Sequence, residues 1–125
     1  MNRPLVLVVD DDPDILDAIC DILEGEGYRV SRARHGLEAL DRVHEERPGV
    51  ILLDLMMPVM DGLAFAQALR QRRVDDRIPI VVISADGNPQ KAAAVGAQGY
   101  LAKPFDIDAL LAQVAQMAGR PAVGC

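Results

Sequence analysis

Short apolar runs alternate with amphipathic stretches along the chain, and several of the runs end on polar residues. Leu5 to Val9 is apolar throughout and stops at Asp10, Asp11 and Asp12. Pro13 suits the first turn of a helix, with Asp12 at its N-cap and Asp14 near the positive end of its dipole. Ile15, Leu16, Ile19, Cys20, Ile22 and Leu23 then recur at helical spacing until Gly25 and Gly27 break the pattern. From Tyr28 to Ala33, Tyr28 and Val30 alternate with Arg29 and Ser31, as in a strand with one wetter face. After Gly36, the residues Leu37, Leu40 and Val43 mark a second helix that Pro48 closes. Val50 to Leu53 reads as a strand buried on both faces, and it ends on Asp54. Pro58 and Asp61-Gly62 then turn the chain.

The second half repeats this plan. Leu63, Ala66 and Leu69, with Arg70, Arg72 and Arg73 late in the segment, predict a third helix. Pro79 introduces another buried strand, Ile80 to Ile83, which ends on Ser84-Ala85. Lys91 to Val95 has room for only a short helix before Gly96. Gly99-Tyr100-Leu101 is a brief strand leading into Lys103-Pro104-Phe105, and its poor apolar run marks it as an edge. Ile107, Leu110, Leu111 and Val114 predict a last amphipathic helix. Five strand-helix units in strict alternation call for a parallel sheet covered by helices on both faces. Periodicity does not give the order of the strands.

Composition narrows the picture. The chain has 125 residues, 50% of them hydrophobic, which fits one compact domain that needs no staples. A formal net charge of −6 argues against non-specific binding to nucleic acid or to an anionic membrane. Cys20 lies in an apolar helical pattern and Cys125 is the last residue, so no disulfide framework is expected. The reducing cytoplasm is the expected compartment. No apolar run approaches the ~18 residues of a membrane span, and Met1 to Val9 is too short for a signal peptide. Gly119 to Cys125, rich in Gly and Pro, reads as a flexible tail, which leaves residues 1–118 as the folded unit.

In a parallel sheet all strand carboxyl ends share one rim, and open α/β sheets place their sites there. The polar residues at those ends are Asp10 and Asp11, Asp54, Ser84 and, just beyond the fifth strand, Lys103. Singly, each has an ordinary explanation: a helix-capping acid, a turn residue, a surface charge. Together they form a constellation of three acids, one hydroxyl and one ammonium. Crowded carboxylates repel one another and call for a compensating cation. Oxygen ligands without His or Cys point to a hard divalent ion, Mg²⁺ by default with Mn²⁺ as the alternative. Such an ion together with Lys103 could neutralise a phosphoryl group approaching Asp54. Ser84 would donate to one phosphoryl oxygen, and the Asp54 carboxylate could act as nucleophile to give an aspartyl-phosphate.

With these residues in place, the sequence resembles the receiver domain of two-component response regulators, chemotaxis-type receivers included. The resemblance runs from Leu5 to Met117. It rests on Asp10-Asp11, on Asp54-Leu55-Met56-Met57-Pro58 with Met60-Asp61-Gly62, on Ser84-Ala85, and on Lys103-Pro104-Phe105. It implies a flavodoxin-like three-layer sandwich, a five-stranded parallel sheet of order 2-1-3-4-5 with five helices. That order, of which chemotaxis receivers are themselves a standard example, sets the first and third strands side by side. The resemblance implies that Asp54 accepts a phosphoryl group from a sensor histidine kinase or a histidine phosphotransfer protein. Asp11, Asp54 and the Met56 backbone carbonyl would bind Mg²⁺, with Asp10 acting through water. Lys103 would hold the phosphoryl group, next to a cis Lys103-Pro104 peptide. Ser84 would shift toward the phosphate and Tyr100 would turn inward, altering the surface of the fourth helix, fifth strand and fifth helix. That surface would meet a downstream protein target or a second copy in a homodimer. Met56 and Asp86 stand where the family modulates dephosphorylation.

Two departures from the family pattern stand out. Between Ser84 and Tyr100 the chain is about one helical turn shorter than many receivers, and Pro89 falls there, so a short fourth helix is expected. Asp12 is a third consecutive acid, read as an N-cap. Rival readings lack their context. A haloacid-dehalogenase-like phosphatase would use the D-x-D of Asp10 to Asp12, but Asp14 stands where that family has Thr or Val. A flavin-binding module would need Ser, Thr or Gly donors in the acidic first turn. An EF-hand would need Gly where Ile15 stands. No output domain follows Met117, which implies a stand-alone receiver or one excised from a longer regulator.

Overall fold

The computed structural model describes residues 4–54, 78–85, 90, 93, 96–103 and 105–119. Its strands are β1 (Leu5–Val9), β2 (Arg29–Ala33), β3 (Val50–Asp54), β4 (Ile80–Ser84) and β5 (Gly99–Ala102). They form one five-stranded sheet in the order β2-β1-β3-β4-β5, and every pairing is parallel. The described helices are α1 (Pro13–Gly25), α2 (Gly36–Glu45) and α3 (Ile107–Ala118). The weak fifth strand is an edge, as its sequence predicts.

The central strands are apolar at nearly every position because both faces of the sheet are covered. β1, β3 and β4 are buried from end to end. Alternate residues divide between two cores. Val6, Val8, Val50, Leu52, Val81, Ile83 and Leu101 pack with α1 and α3. Leu7, Val9, Ile51, Leu53, Ile80 and Val82 face the other way and pack with Ala39 and Leu40 of α2.

Helix α1 begins as its sequence dictates. Pro13 opens it and the Asp12 carboxylate accepts from the N–H groups of Asp14 at 3.0 Å and Ile15 at 3.4 Å. It buries Leu16, Ile19, Cys20 and Leu23. The following turn extends one residue further than the alternation predicts. The Tyr28 N–H still bonds the Leu23 carbonyl, and Gly27, at φ 94°, reverses the chain so that β2 starts at Arg29.

In α2 the inward face differs from the expected one. Gly36, Ala39 and Leu40 are buried, whereas Leu37 is 50% exposed. A face built on Gly36 brings the helix start close to the sheet, and Leu37, one residue on, then points about 100° away. Ile107 is likewise 51% exposed at the start of α3, which is buried through Leu110 and Val114. At the β2 edge, the Ala33 carbonyl accepts from Asp10 on the β1 side, so the Arg32 carbonyl faces outward. There the Arg42 Nε–H donates to it at 2.9 Å.

The third helix expected over residues 63–73 lies outside the described residues. In the segment expected to form a short fourth helix only Gln90 and Ala93 are described, both helical, and the N–H of Gly96, at φ 71°, donates to the Ala93 carbonyl at 3.0 Å. Residues 120–125 of the expected tail also lie outside. Among the described residues no helix is long and apolar enough to cross a membrane.

Candidate functional site

The carboxyl ends of β1, β3 and β4 bring together what the sequence separates by tens of residues. Asp54 is the last residue of β3, and Asp10 follows directly on the adjacent β1; both are buried. Asp11 is exposed, yet one carboxylate oxygen from each of Asp10, Asp11 and Asp54 lies within 4.8 Å of the others. Ser84 ends β4 and is buried. Lys103 follows β5, where its N–H donates to the Ser84 carbonyl at 2.9 Å and so extends the β4–β5 ladder by one bond.

The Lys103 Nζ reaches back across the rim, donating to Asp10 Oδ2 at 3.2 Å and to Asp54 Oδ2 at 3.5 Å. Its side chain is only 18% exposed. Burial alone would push the ammonium pKa down, but the nearby Asp10 and Asp54 carboxylates outweigh it and hold the pKa above the ordinary lysine value. Lys103 therefore stays charged at neutral pH. Three carboxylates and one ammonium leave the rim net negative, and the acidic donors are all oxygen, a set suited to a hard divalent cation.

Asp10 has both of its oxygens engaged. Oδ2 takes the Lys103 ammonium, and Oδ1 accepts the Asp12 N–H at 2.9 Å. Asp12 thus works twice, fixing Asp10 through its backbone and capping α1 through its side chain. Capping rules predict only the second of these roles. A carboxylate two residues ahead of a turn amide is the sequence signal that points to the other.

Tyr100 projects to the α2 side of β5 and packs on the core that holds Leu7, Val9 and Leu53. Its hydroxyl is buried and has no hydrogen-bond partner among the described residues. Met56, Asp86 and Pro104, also singled out by the sequence, lie outside the described residues.

This fold and rim agree with comparisons to known proteins. The family described as "Response regulator receiver domain" matches residues 6–115. The transcriptional regulatory protein PrrA of Mycobacterium leprae is 42% identical over 117 residues, covering 91% of this chain and 49% of that protein. Response regulator MprA of Mycobacterium avium is 40% identical over 112 residues, covering 87% and 48%. The chain thus spans about half the length of the curated relatives it matches. Among solved structures, Vibrio cholerae chemotaxis protein CheY4 superposes with a TM-score of 0.86 at 35% identity, covering 93% of this chain and 99% of that one. The receiver domain of a sensor histidine kinase from Pseudomonas aeruginosa PAO1, solved with a magnesium ion coordinated in its active site cleft, gives a TM-score of 0.85 at 28% identity, covering 94% and 99%. The chain belongs to the response regulator receiver domain family.

Proposed function

We propose that Asp54 is the phosphoacceptor of this receiver. One observation carries the reading: a buried strand-end carboxylate lies beside the rim's lysine, with two further carboxylates gathered around it. An Asp54 carboxylate oxygen attacks the phosphorus of a kinase or phosphotransfer-protein phosphohistidine. An O–P bond forms, the P–N bond breaks, and its electron pair returns to the imidazole. Lys103, already pointing at Asp54, meets the charge on the transferred group, and Ser84 donates to one of its oxygens. Asp11 and Asp54, with the Met56 backbone carbonyl, would hold Mg²⁺ or Mn²⁺, and Asp10, with both oxygens engaged, would act through water. When bound, the cation supplies charge neutralisation for the phosphoryl oxygens.

Tyr100 is the second half of the switch. Its buried, unpartnered hydroxyl marks a position held at a cost of about 1–3 kcal/mol, which a rearrangement around phosphorylated Asp54 can change. The output face is then β5 and α3 together with the short fourth helix, recognised by a downstream protein or by a second copy of the chain. Residues 1–118 form the receiver and 119–125 a tail; the protein works in the cytoplasm and catalyses only its own phosphorylation and dephosphorylation. Met56 and Asp86 modulate the lifetime of the phosphoryl group, so Met56→Asn and Asp86→Ala should change its decay rate.

The test is phosphotransfer from the source organism's histidine kinases, or from acetyl phosphate, read by intact-protein mass. One phosphoryl group per chain is expected, with incorporation falling at least about 100-fold in Asp54→Asn, as for loss of a covalent nucleophile. Persistent labelling of that variant, or steady hydrolysis of a small phosphate ester without labelling, would overturn the assignment.

A further inference from the structure

The start of α2 is capped in a manner the receiver site does not require. The residue at its N-cap is His35, whose Nδ1 accepts the Glu38 N–H at 3.2 Å. Glu38 answers from the other side, its carboxylate accepting the Arg34 N–H at 2.9 Å. The pair forms a reciprocal capping arrangement with imidazole in the place usually taken by a hydroxyl or carboxylate.

We propose that His35 makes the first turn of α2 a proton-sensitive joint, closed by the neutral imidazole and released by the imidazolium. A neutral imidazole has one acceptor nitrogen, used here as Nδ1, so its proton resides on Nε2. The imidazolium has two donors and no acceptor. Protonation therefore removes the cap and sets a positive charge against the positive end of the helix dipole. Among the described residues, the charged groups of this neighbourhood are Arg34 and Glu38 in the turn itself, and Asp10, Asp11 and Asp12 on the adjacent β1–α1 turn. The Asp10 N–H to Ala33 carbonyl bond, 3.1 Å long, ties the two turns together. Asp10 is engaged by Lys103 and Asp12 by the start of α1. None of these groups can restore an acceptor to the Glu38 N–H.

Release has somewhere to go. Gly36, Ala39 and Leu40 are the buried face of α2, and Ala39 and Leu40 pack on the same core as the Tyr100 ring. Loosening the first turn loosens the cover that α2 places over β1 and β2.

The test is backbone amide exchange of the whole chain between about pH 7.5 and about pH 5.5, the span in which a histidine ordinarily titrates. The first turn of α1, capped by Asp12, serves as the internal reference, because carboxylates ordinarily titrate well below this range. Exchange in the first turn of α2 should rise roughly fivefold relative to that reference as the pH falls, in keeping with loss of one cap. In His35→Asn, which keeps an acceptor but cannot titrate, the ratio should stay flat. A flat ratio in the unaltered protein, or the same rise in the variant, overturns the proposal. Independently of any variant, nitrogen NMR of the His35 ring at neutral pH should find the proton on Nε2; a proton on Nδ1 overturns it as well.

Discussion

The two ends of the sheet are built on opposite terms. At the amino-terminal end of the strands, neutral groups satisfy one another beside one surface ion pair, Arg29 with Glu46. The Tyr28 hydroxyl donates to the Gly119 carbonyl at 3.1 Å, the Gly49 N–H to the Leu5 carbonyl at 2.8 Å, and the Arg29 N–H to the Pro4 carbonyl at 3.1 Å. The Gln98 side chain accepts the Ile80 N–H at 2.8 Å while the Gln98 N–H donates to the Ile80 carbonyl at 2.9 Å. At the carboxyl-terminal end, three carboxylates gather near one ammonium. The bonds named at the first end are closed as folded, whereas the second holds charge that a ligand can relieve. Stability and responsiveness are thus assigned to different ends of the same strands.

The contrast can be broken most sharply at Lys103. Lys103→Met leaves Asp10 and Asp54 buried without their cation, and should cost about 3 kcal/mol in urea unfolding. Little change would mean that the rim is not electrostatically poised. Between the two ends, Cys20 tests the neutral core. Desolvation by burial pushes its thiol up to about 11. An unfolded thiol ionises near about 8.5, so the folded state holds this proton more tightly. The stability that follows from this is present below about pH 8.5 and is lost as pH rises through the folded value, by roughly 3 kcal/mol. Cys20→Ala should flatten that part of the alkaline stability profile; an unchanged slope would refute it.

A divalent cation should stabilise only the charged end. Saturating Mg²⁺ should raise the thermal midpoint by the equivalent of about 2–3 kcal/mol at a hundredfold excess over its dissociation constant. Asp11→Asn should lose most of that gain, and equal gains in both proteins would remove Asp11 from the ligand set. The smallest effect is expected at the neutral end, where Tyr28→Phe should cost about 1 kcal/mol and leave phosphoryl incorporation untouched. A loss of incorporation there would show that the two ends are coupled.

Much of this is legible in the sequence because each feature rests on local chemistry. Val50 to Leu53 is apolar because both faces of β3 are covered, and Asp54 ends the run because the strand ends there. Asp12 and Pro13 announce the start of α1 by capping rules alone. The strand order comes only through family resemblance, since periodicity is the same for any arrangement of buried strands. Spacing alone puts Leu37 and Ile107 on the core face, wrongly, because a first-turn residue can satisfy the spacing of either face and the distance to the sheet decides between them. The His35 cap leaves no sequence signal, since histidine is not among the residues that mark a helix start. The commitment of both Asp10 oxygens is equally hidden, because one partner lies 93 residues away and only the fold brings it near.

The Arg42 guanidinium on the outward carbonyl of Arg32 bears on how these molecules behave when crowded. An edge strand with free carbonyls is a template onto which another chain can add. Here that acceptor is already spent, and Arg29 and Arg32, both exposed, line the same strand. Neighbouring copies meet charge and a filled hydrogen bond instead of an open ladder. One rung of the outer ladder at β2 is thereby filled, and charged side chains flank it.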